Sequence, residues 1–340
     1  VSFSIIIPVY NEVKIIAKFV DKLLKTFGHL KVKYIFIDDG STDGSSEWLQ
    51  KNLRKIFSES FELIILNKNY GKGYAVKEGI KKIEGLHTLF IDSDLEYQPL
   101  DLLEMYDEIL KNKDIEVIYG SRNLGSKTQL RRYFLNGIAV KINTWIYNFL
   151  FNQSLTDLHT GSKIIKNSLL SQLNISTNGF GLEIVISSEI AKKNINIFEY
   201  GISYFERSFE EGKKITFVDG LKSYYFLFRE RFIQNNIETQ LSLIYSFIFM
   251  SYVGTHFGMG IGKILAVILC IIVGLMIALN RKIFPLSLTF LALYIGSLFS
   301  KGNGKIYTTI IFFFIGLYLS KKISKYFSKF KSSGILRFLF

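Results

Sequence analysis

One cysteine, Cys270, stands in 340 residues. No internal disulfide can form and no cysteine-rich metal site exists, so the catalytic part is expected to face a reducing cytoplasm. Histidine is nearly as scarce, with four residues, which fits chemistry poor in acid–base relays; His159, the only one inside a motif, reads as a structural loop residue. Two nucleotide signatures are missing as well. A P-loop would need glycine five residues before Gly71-Lys72, where Leu66 stands, and a dinucleotide fingerprint starting at Gly71 would need glycine at Val76. A basic start is absent from Val1 to Val9, so no signal peptide is expected.

What is present is apolar and basic. The chain is 49% hydrophobic with a formal net charge of +13, and its apolar content is uneven. Residues 1–233 mix charge and hydrophobicity as a globular domain does, whereas 240–320 are mostly apolar, which predicts one globular and one membrane domain (234–340). Apolar runs beside lysine clusters fit an anionic lipid surface better than nucleic acid, so membrane lipid is expected as a partner and nucleic acid is not. Four apolar segments, about 241–257, 261–280, 283–300 and 305–320, are each long enough to cross a bilayer if their flanks snorkel; three spans remain possible, because the first is the least uniform. The basic tail from Lys321 to Lys331 and the Arg281-Lys282 loop fall on one side, which the positive-inside rule makes cytoplasmic together with the catalytic domain; Lys263, Lys301 and Lys305 count against it.

Along the globular part, short apolar runs alternate with helical periodicity. Phe3 to Val9 reads as a strand followed by a helix with apolar residues at Val13, Ile16, Phe19, Val20, Leu23 and Leu24. Lys33 to Ile37, Leu63 to Leu66, Thr88 to Ile91 and Glu116 to Gly120 read as further strands, with helices at Ser45 to about Phe57, Gly73 to Ile83 and Pro99 to Lys111. Five strands alternating with helices predict an α/β fold with a mainly parallel, doubly wound sheet. Arg131-Arg132 opens a segment (131–152) with Phe134, Ile138, Ile142, Trp145, Ile146 and Phe149 at helical spacing; a second such segment runs over 219–233. Both read as amphipathic helices lying on a membrane surface.

The chemistry concentrates where strands end. Phe90-Ile91-Asp92-Ser93-Asp94-Leu95-Glu96 is an apolar run ending in three carboxylates at every second position, a platform for a hard divalent cation, Mg or Mn. Pro8, Tyr10 and Glu12 after the first strand, and Asp38 and Asp39 after the second, are the candidates for nucleotide contact. Ile7-Pro8-Val9-Tyr10-Asn11-Glu12, Asp38-Asp39-Gly40-Ser41-Thr42-Asp43 and Asp92-Ser93-Asp94-Leu95-Glu96, in that order, resemble the family 2 glycosyltransferases of GT-A fold. Gly120-Ser121-Arg122, Asp157 to Lys163, and Arg207 with Glu211 to Lys214 resemble the branch of dolichol-phosphate mannose synthases and bacterial polyprenyl-phosphate glycosyltransferases, a likeness that covers about 1–233.

The resemblance implies a role for each matching residue. Pro8, Tyr10, Glu12, Ile37, Asp39, Ser93 and Lys213 would contact the nucleotide sugar donor; Asp92, Asp94 and Glu96 would hold the cation; Arg122 and Arg131 would face the acceptor phosphate, with Arg207 closing over the phosphates. Arg131 reads equally well as an interfacial anchor. The branch often has Gln where Glu96 stands and Phe where Ser162 stands. A polyprenyl or dolichyl phosphate acceptor would need no general base, which implies single displacement with inversion. Other acceptors, a diacylglycerol or a growing polysaccharide, stay open, as does a non-catalytic scaffold. Asp39 and Glu12 suit GDP and UDP equally, so GDP-mannose and UDP-glucose are both candidate donors.

Overall fold

The computed structural model divides into two compact units, Val1–Arg231 and Phe232–Phe340. The described residues are 2–234 except 126, 180, 209 and 213–216, almost all in the first unit. The four expected membrane segments, the basic tail and Lys213 lie outside them. Among the described residues no helix is long and apolar enough to cross a membrane.

Strands β1 (Phe3–Val9), β2 (Val32–Asp38) and β3 (Phe61–Ile65) alternate with helices α1 (Ile16–Phe27), α2 (Ser45–Phe57) and α3 (Lys72–Ile80). Then follow β4 (His87–Phe90), α4 (Pro99–Lys111), β5 (Val117–Ser121), β6 (Gln129–Leu130), α5 (Phe134–Phe151), β7 (Lys163–Lys166), α6 (Asn167–Leu170), α7 (Leu182–Lys192), β8 (Phe198–Gly201), β9 (Tyr204–Phe205) and α8 (Phe217–Phe228), the last running into a π-helical turn at Arg229–Ile233. Seven strands form one sheet in the order β3-β2-β1-β4-β7-β5-β8, parallel except for β7, which runs against both β4 and β5. The mainly parallel expectation holds. β7 and β8 are additions to the five strands read from sequence: each is four residues long, too short for a periodic signal.

Both faces of the sheet are covered, which is why its central strands read as unbroken apolar runs. Phe3, Ile5, Ile7 and Val9 pack on one side with Phe19 and Leu23 of α1, Leu49 and Leu53 of α2 and Met105 of α4. Ile6, Ile35 and Ile37 pack on the other with Val76 of α3 and Ile186 and Ile190 of α7. From β1 the chain winds outward through β2 to β3, then returns to place β4 on the other flank of β1. The order therefore reverses between β1 and β4, and the crevice outside their carboxyl ends is where ligands bind in such sheets.

Helix α5 is apolar on both sides. Inward, Tyr147, Ile146, Leu150 and Phe151 join the core beside buried Asn143 and Thr144, while Phe134 is 80% exposed, Trp145 69% exposed, and Leu135, Ile142 and Phe149 also face outward. The inward polar groups hold the following loop and α7: Asn148 exchanges two hydrogen bonds with the backbone of Leu155, Thr144 Oγ1 accepts from the Leu158 amide at 3.2 Å, and the Tyr147 hydroxyl donates to the Ser187 carbonyl on α7 at 2.8 Å.

The loops after β1 and β2 are stapled to each other. The Asn11 amide donates to Ser41 Oγ (2.9 Å), the Glu12 amide to Ser45 Oγ (2.9 Å) and the Val13 amide to Asp43 Oδ2 (3.0 Å), while Asn11 Oδ1 accepts from the Thr42 amide (2.8 Å). Much of the Ser41-Thr42-Asp43 motif is therefore a clasp that fixes Glu12. Ser45 is fully buried and its hydroxyl also donates to Asp43 at 2.6 Å. Ser45→Ala strands the Glu12 amide, so it should lower the unfolding free energy by about 1 to 3 kcal/mol in chemical denaturation of the full-length protein; a variant as stable as wild type would show the clasp to be dispensable.

Candidate active site

Acidic side chains crowd the carboxyl ends of β1, β2 and β4, and each is handled differently. Asp39 accepts the amides of Tyr70 and Gly71 at 2.8 and 2.9 Å, so its carboxylate clamps the loop before α3; burial raises it above the usual aspartate range despite those two bonds. Asp38 is fully buried: Oδ1 accepts from the Ser41 amide at 3.3 Å and Oδ2 meets no partner among the described residues. Glu12 receives the guanidinium of Arg207 in a two-pronged pair, 2.9 and 3.3 Å. Pro8 and Tyr10 are partly exposed beside it, and the Pro8 carbonyl accepts from Ser93 Oγ at 3.0 Å. Ile37 is fully buried in the core under α3, so its side chain is unavailable to a donor; its place one residue before the β2 carboxylates is what the motif registers.

The Asp92-Ser93-Asp94-Leu95-Glu96 segment does not continue as a strand. Leu95 adopts φ 62°, the left-handed region that costs a side-chain-bearing residue energy, and this breaks the every-second-residue alternation. Asp92 pairs with Lys72, 2.8 Å to its nearer oxygen, and Lys72 also reaches Glu183 on α7 at 2.9 Å. Asp94 lies 3.6 Å from Arg207 and accepts the Glu96 amide at 3.0 Å. Burial, with the charges of Glu96 and Asp92, pushes the Asp94 carboxyl up to about 7 against the pull of Arg207. Glu96 turns the other way: Oε2 accepts from the Tyr204 hydroxyl at 2.8 Å and Oε1 from the Arg207 amide at 3.0 Å. Among the described residues no three acidic, histidine or cysteine groups converge as a metal site. Of the three carboxylates expected to hold a cation, Asp92 is paired with Lys72, Asp94 lies near Arg207, and Glu96 is bonded to Tyr204 and the Arg207 amide.

Arg122 is also differently engaged from the expectation. Its fork pairs with buried Asp157 at 2.6 and 2.8 Å, and its guanidinium lies 4.9 Å from the centre of the Tyr204 ring. Asp157 is held below the usual aspartate range, since the Arg122 charge and hydrogen bonds outweigh burial. Arg131 is exposed and donates to the Arg122 carbonyl and to Asn123 Oδ1, bringing the two arginines into one patch.

The family model for glycosyl transferase family 2 matches residues 4–173. The chain belongs to that family. It is a glycosyltransferase with a GT-A α/β domain. A dolichyl-phosphate beta-glucosyltransferase of Dictyostelium discoideum is 28% identical over 218 residues, 60% of this chain and 66% of its own length. One of Saccharomyces cerevisiae is 26% identical over 243 residues, 64% and 71%. A solved glucosyl-3-phosphoglycerate synthase from Mycobacterium tuberculosis, with Mn2+, UDP-glucose and glycerol 3-phosphate, superposes with a TM-score of 0.51 at 16% identity, covering 68% of this chain and 80% of its own; at that identity the likeness is one of fold.

In this family 2 domain the residues that sequence reasoning missed are the counter-ions. Lys72 sits in the Gly71-Lys72-Gly73 run, set aside once the two nucleotide signatures failed; its position at the start of a helix after a strand was the available signal. Its ammonium is held above the ordinary lysine range because the charges of Asp92 and Glu183 outweigh burial. With Asp92, Glu183 and Lys163 it lines a small cavity beside the acidic loop. Lys163 is buried, which lowers it to about 8; it donates to the Thr160 carbonyl and lies 4.6 Å from the Tyr119 ring centre. Gly161 leaves room for Asp92, since a Cβ there would come within 2.4 Å of Oδ2.

His159 sits among charged groups. Burial, with the charges of Arg122 and Lys163, brings it down to about 4 although Glu183 and Asp157 act the other way. The unfolded chain takes up that proton first, at about 6.5, so the stability tied to neutral His159 is intact above pH 6.5 and is lost as pH falls toward 4. Comparing His159→Gln with wild type at pH 7 and pH 4.5, the wild type should lose more stability by something on the order of 2 kcal/mol. Equal losses in thermal unfolding would assign the acid sensitivity to other groups.

Proposed function

We propose that this enzyme transfers a hexose from a nucleoside-diphosphate sugar to a polyprenyl or dolichyl phosphate at the cytoplasmic face of a membrane. The observation that carries the reading is the pair of carboxylates after β4. Asp92 lies 2.8 Å from Lys72 and Asp94 3.6 Å from Arg207, and burial with the neighbouring carboxylates raises Asp94 to about 7. Such a site fits a divalent cation, because its donors are hard oxygens on a partly buried loop and their charge is not balanced by protein alone. Asp94 with Asp92 would hold that ion, Mg or Mn, and when bound it supplies positive charge to a departing diphosphate.

This chain's own residues do the rest. Pro8, Tyr10, Glu12 and the Asp38-Asp39 edge line the nucleotide side of the crevice, with Ser93 fixing the height of the acidic loop against Pro8. Arg207 supplies further charge to the phosphates. Arg131, exposed beside Arg122, meets the acceptor phosphate first; Arg122, held rigid by Asp157, backs it. A lipid monophosphate with its second pKa near 6 is about 90% dianion at pH 7 and needs orientation rather than deprotonation. That agrees with the histidine at hand, His159, being half-buried and held well below its ordinary range. In-line attack on the anomeric carbon would invert its configuration.

The outward apolar face of α5, together with Tyr225 and Phe228 on α8, supports a membrane-facing side. Aromatic residues standing out from a helix whose polar groups face inward are at home at a lipid interface and costly in water. The relatives whose names specify dolichyl phosphate support the acceptor class.

The test is to incubate membranes carrying the full-length protein with radiolabelled UDP-glucose or GDP-mannose and polyprenyl phosphate, then extract lipid. Label should enter an acid-labile lipid product, Asp94→Ala should cut the rate by roughly 100-fold or more, and apparent Mn2+ affinity should weaken by about tenfold per pH unit below 7 as the proton competes for Asp94. Equal transfer to unphosphorylated polyprenol would sink the acceptor assignment, and full turnover in EDTA would sink the cation.

A further inference from the structure

Three bonds tie Glu96 to the short strand that carries Arg207. Its backbone carbonyl accepts the Phe205 amide at 3.0 Å, and its two carboxylate oxygens accept the Tyr204 hydroxyl and the Arg207 amide. Tyr204, 7% exposed, therefore stands between two parts of the site: its hydroxyl on Glu96, its ring against the Arg122 guanidinium. The same strand is fastened from its far side. β9 pairs with β6, the Glu206 amide donates to the Leu130 carbonyl at 3.0 Å, and the Glu206 carboxylate takes the amides of Arg132 and Tyr133 at 2.6 and 3.2 Å. β9 is thus clamped between the acidic loop and the segment that opens α5.

From this geometry we propose that Tyr204 and Glu96 form one positioning pair that registers Arg207 over Asp94 and Glu12, and that Glu96 is not a cation ligand. Each carboxylate oxygen of Glu96 accepts one hydrogen bond, from the Tyr204 hydroxyl on β9 and from the Arg207 amide just beyond it, so the side chain is held toward the segment that carries Arg207. Arg207 gains most from such an anchor, because its long side chain has to present a fork to Glu12 without wandering. The pair also explains why a carboxylate serves at position 96, since an amide there has one acceptor oxygen and would drop one of the two bonds.

The inference rests on the two-carboxylate cation reading above, and the experiment separates the two. Glu96→Gln, Tyr204→Phe and the double variant are made in the full-length protein; Tyr204→Phe removes one oxygen and keeps the ring on Arg122. Two measurements need no turnover: the rate of tryptic cleavage after Arg207, with the product identified by mass, and Mn2+ binding followed by electron paramagnetic resonance of the free ion, with and without UDP. Each single variant should speed cleavage after Arg207 by about fivefold or more, and the double variant should add little, as expected of groups that share one hydrogen bond. Mn2+ affinity should stay within about twofold of wild type in all three. A tenfold loss of Mn2+ affinity in Glu96→Gln overturns the assignment whatever the cleavage rate, and unchanged cleavage in both single variants overturns the positioning role. A wild type that binds no Mn2+ removes the cation reading and leaves the pair to be judged by cleavage alone.

Discussion

Like charges held together in a half-buried crevice repel, and this domain places Glu12, Asp38, Asp39, Asp92, Asp94, Glu96 and Glu183 around one end of one sheet. At 4 Å and an effective dielectric constant of about 20, two such charges oppose each other by about 4 kcal/mol. The surrounding structure is arranged to relieve that. Lys72 is shared by Asp92 and Glu183, Arg207 lies among Glu12, Asp94 and Glu96, and backbone amides satisfy Asp39. Asp94 is the group for which compensation falls short, since burial and the charges of Glu96 and Asp92 raise its carboxyl above the usual aspartate range. A crevice with that residual imbalance is suited to take up a cation together with an anionic ligand.

The topology supplies the crowding and the loops supply the rigidity. Because the strand order reverses between β1 and β4, their two loops diverge and leave an opening, and the β2 loop closes its flank. Each loop is pinned to a neighbour by short hydrogen bonds, the Ser41 to Ser45 clasp on one side and the Ser93 to Pro8 bond on the other. Glycine enters where backbones come too close for a side chain. At Gly73 a Cβ would fall 2.7 Å from the Thr177 carbonyl, so α3 can start against the loop before α7, which is how Lys72 comes within reach of Glu183.

The sheet and its strand-end motifs were legible in the sequence because burial on both faces writes long apolar runs and because amphipathic helices repeat at 3.6 residues; the helices at Ser45–Phe57 and Pro99–Lys111 have the expected bounds. Pairing was not legible. Lys72 and Glu183 are 111 positions apart, Arg207 and Glu12 195, and nothing local marks either as a partner. The bonds of Glu96 were not legible for a different reason. Even spacing suggested one face, and a single left-handed residue, Leu95, redirected it. The ion pair of Arg122 was not legible either, because a sequence shows a charge and not its counter-ion, here Asp157, 35 residues on.

Helix α5 joins the two halves of this picture. The helix packs Tyr147, Ile146, Leu150 and Phe151 inward, and its polar groups add hydrogen bonds that go to the loop carrying Asp157. Asp157 in turn fixes the fork of Arg122, and Glu199 fixes Asp157 from β8 by accepting its amide and that of Thr156. The element that presents aromatic surface to its surroundings is therefore the one that sets the loop behind the two arginines. For a soluble acceptor that arrangement would be an unexplained cost in exposed aromatic area. For an acceptor whose phosphate sits at the edge of an apolar phase it has a physical reason: the helix that settles against the phase and the arginines that await the phosphate are registered by the same short set of hydrogen bonds.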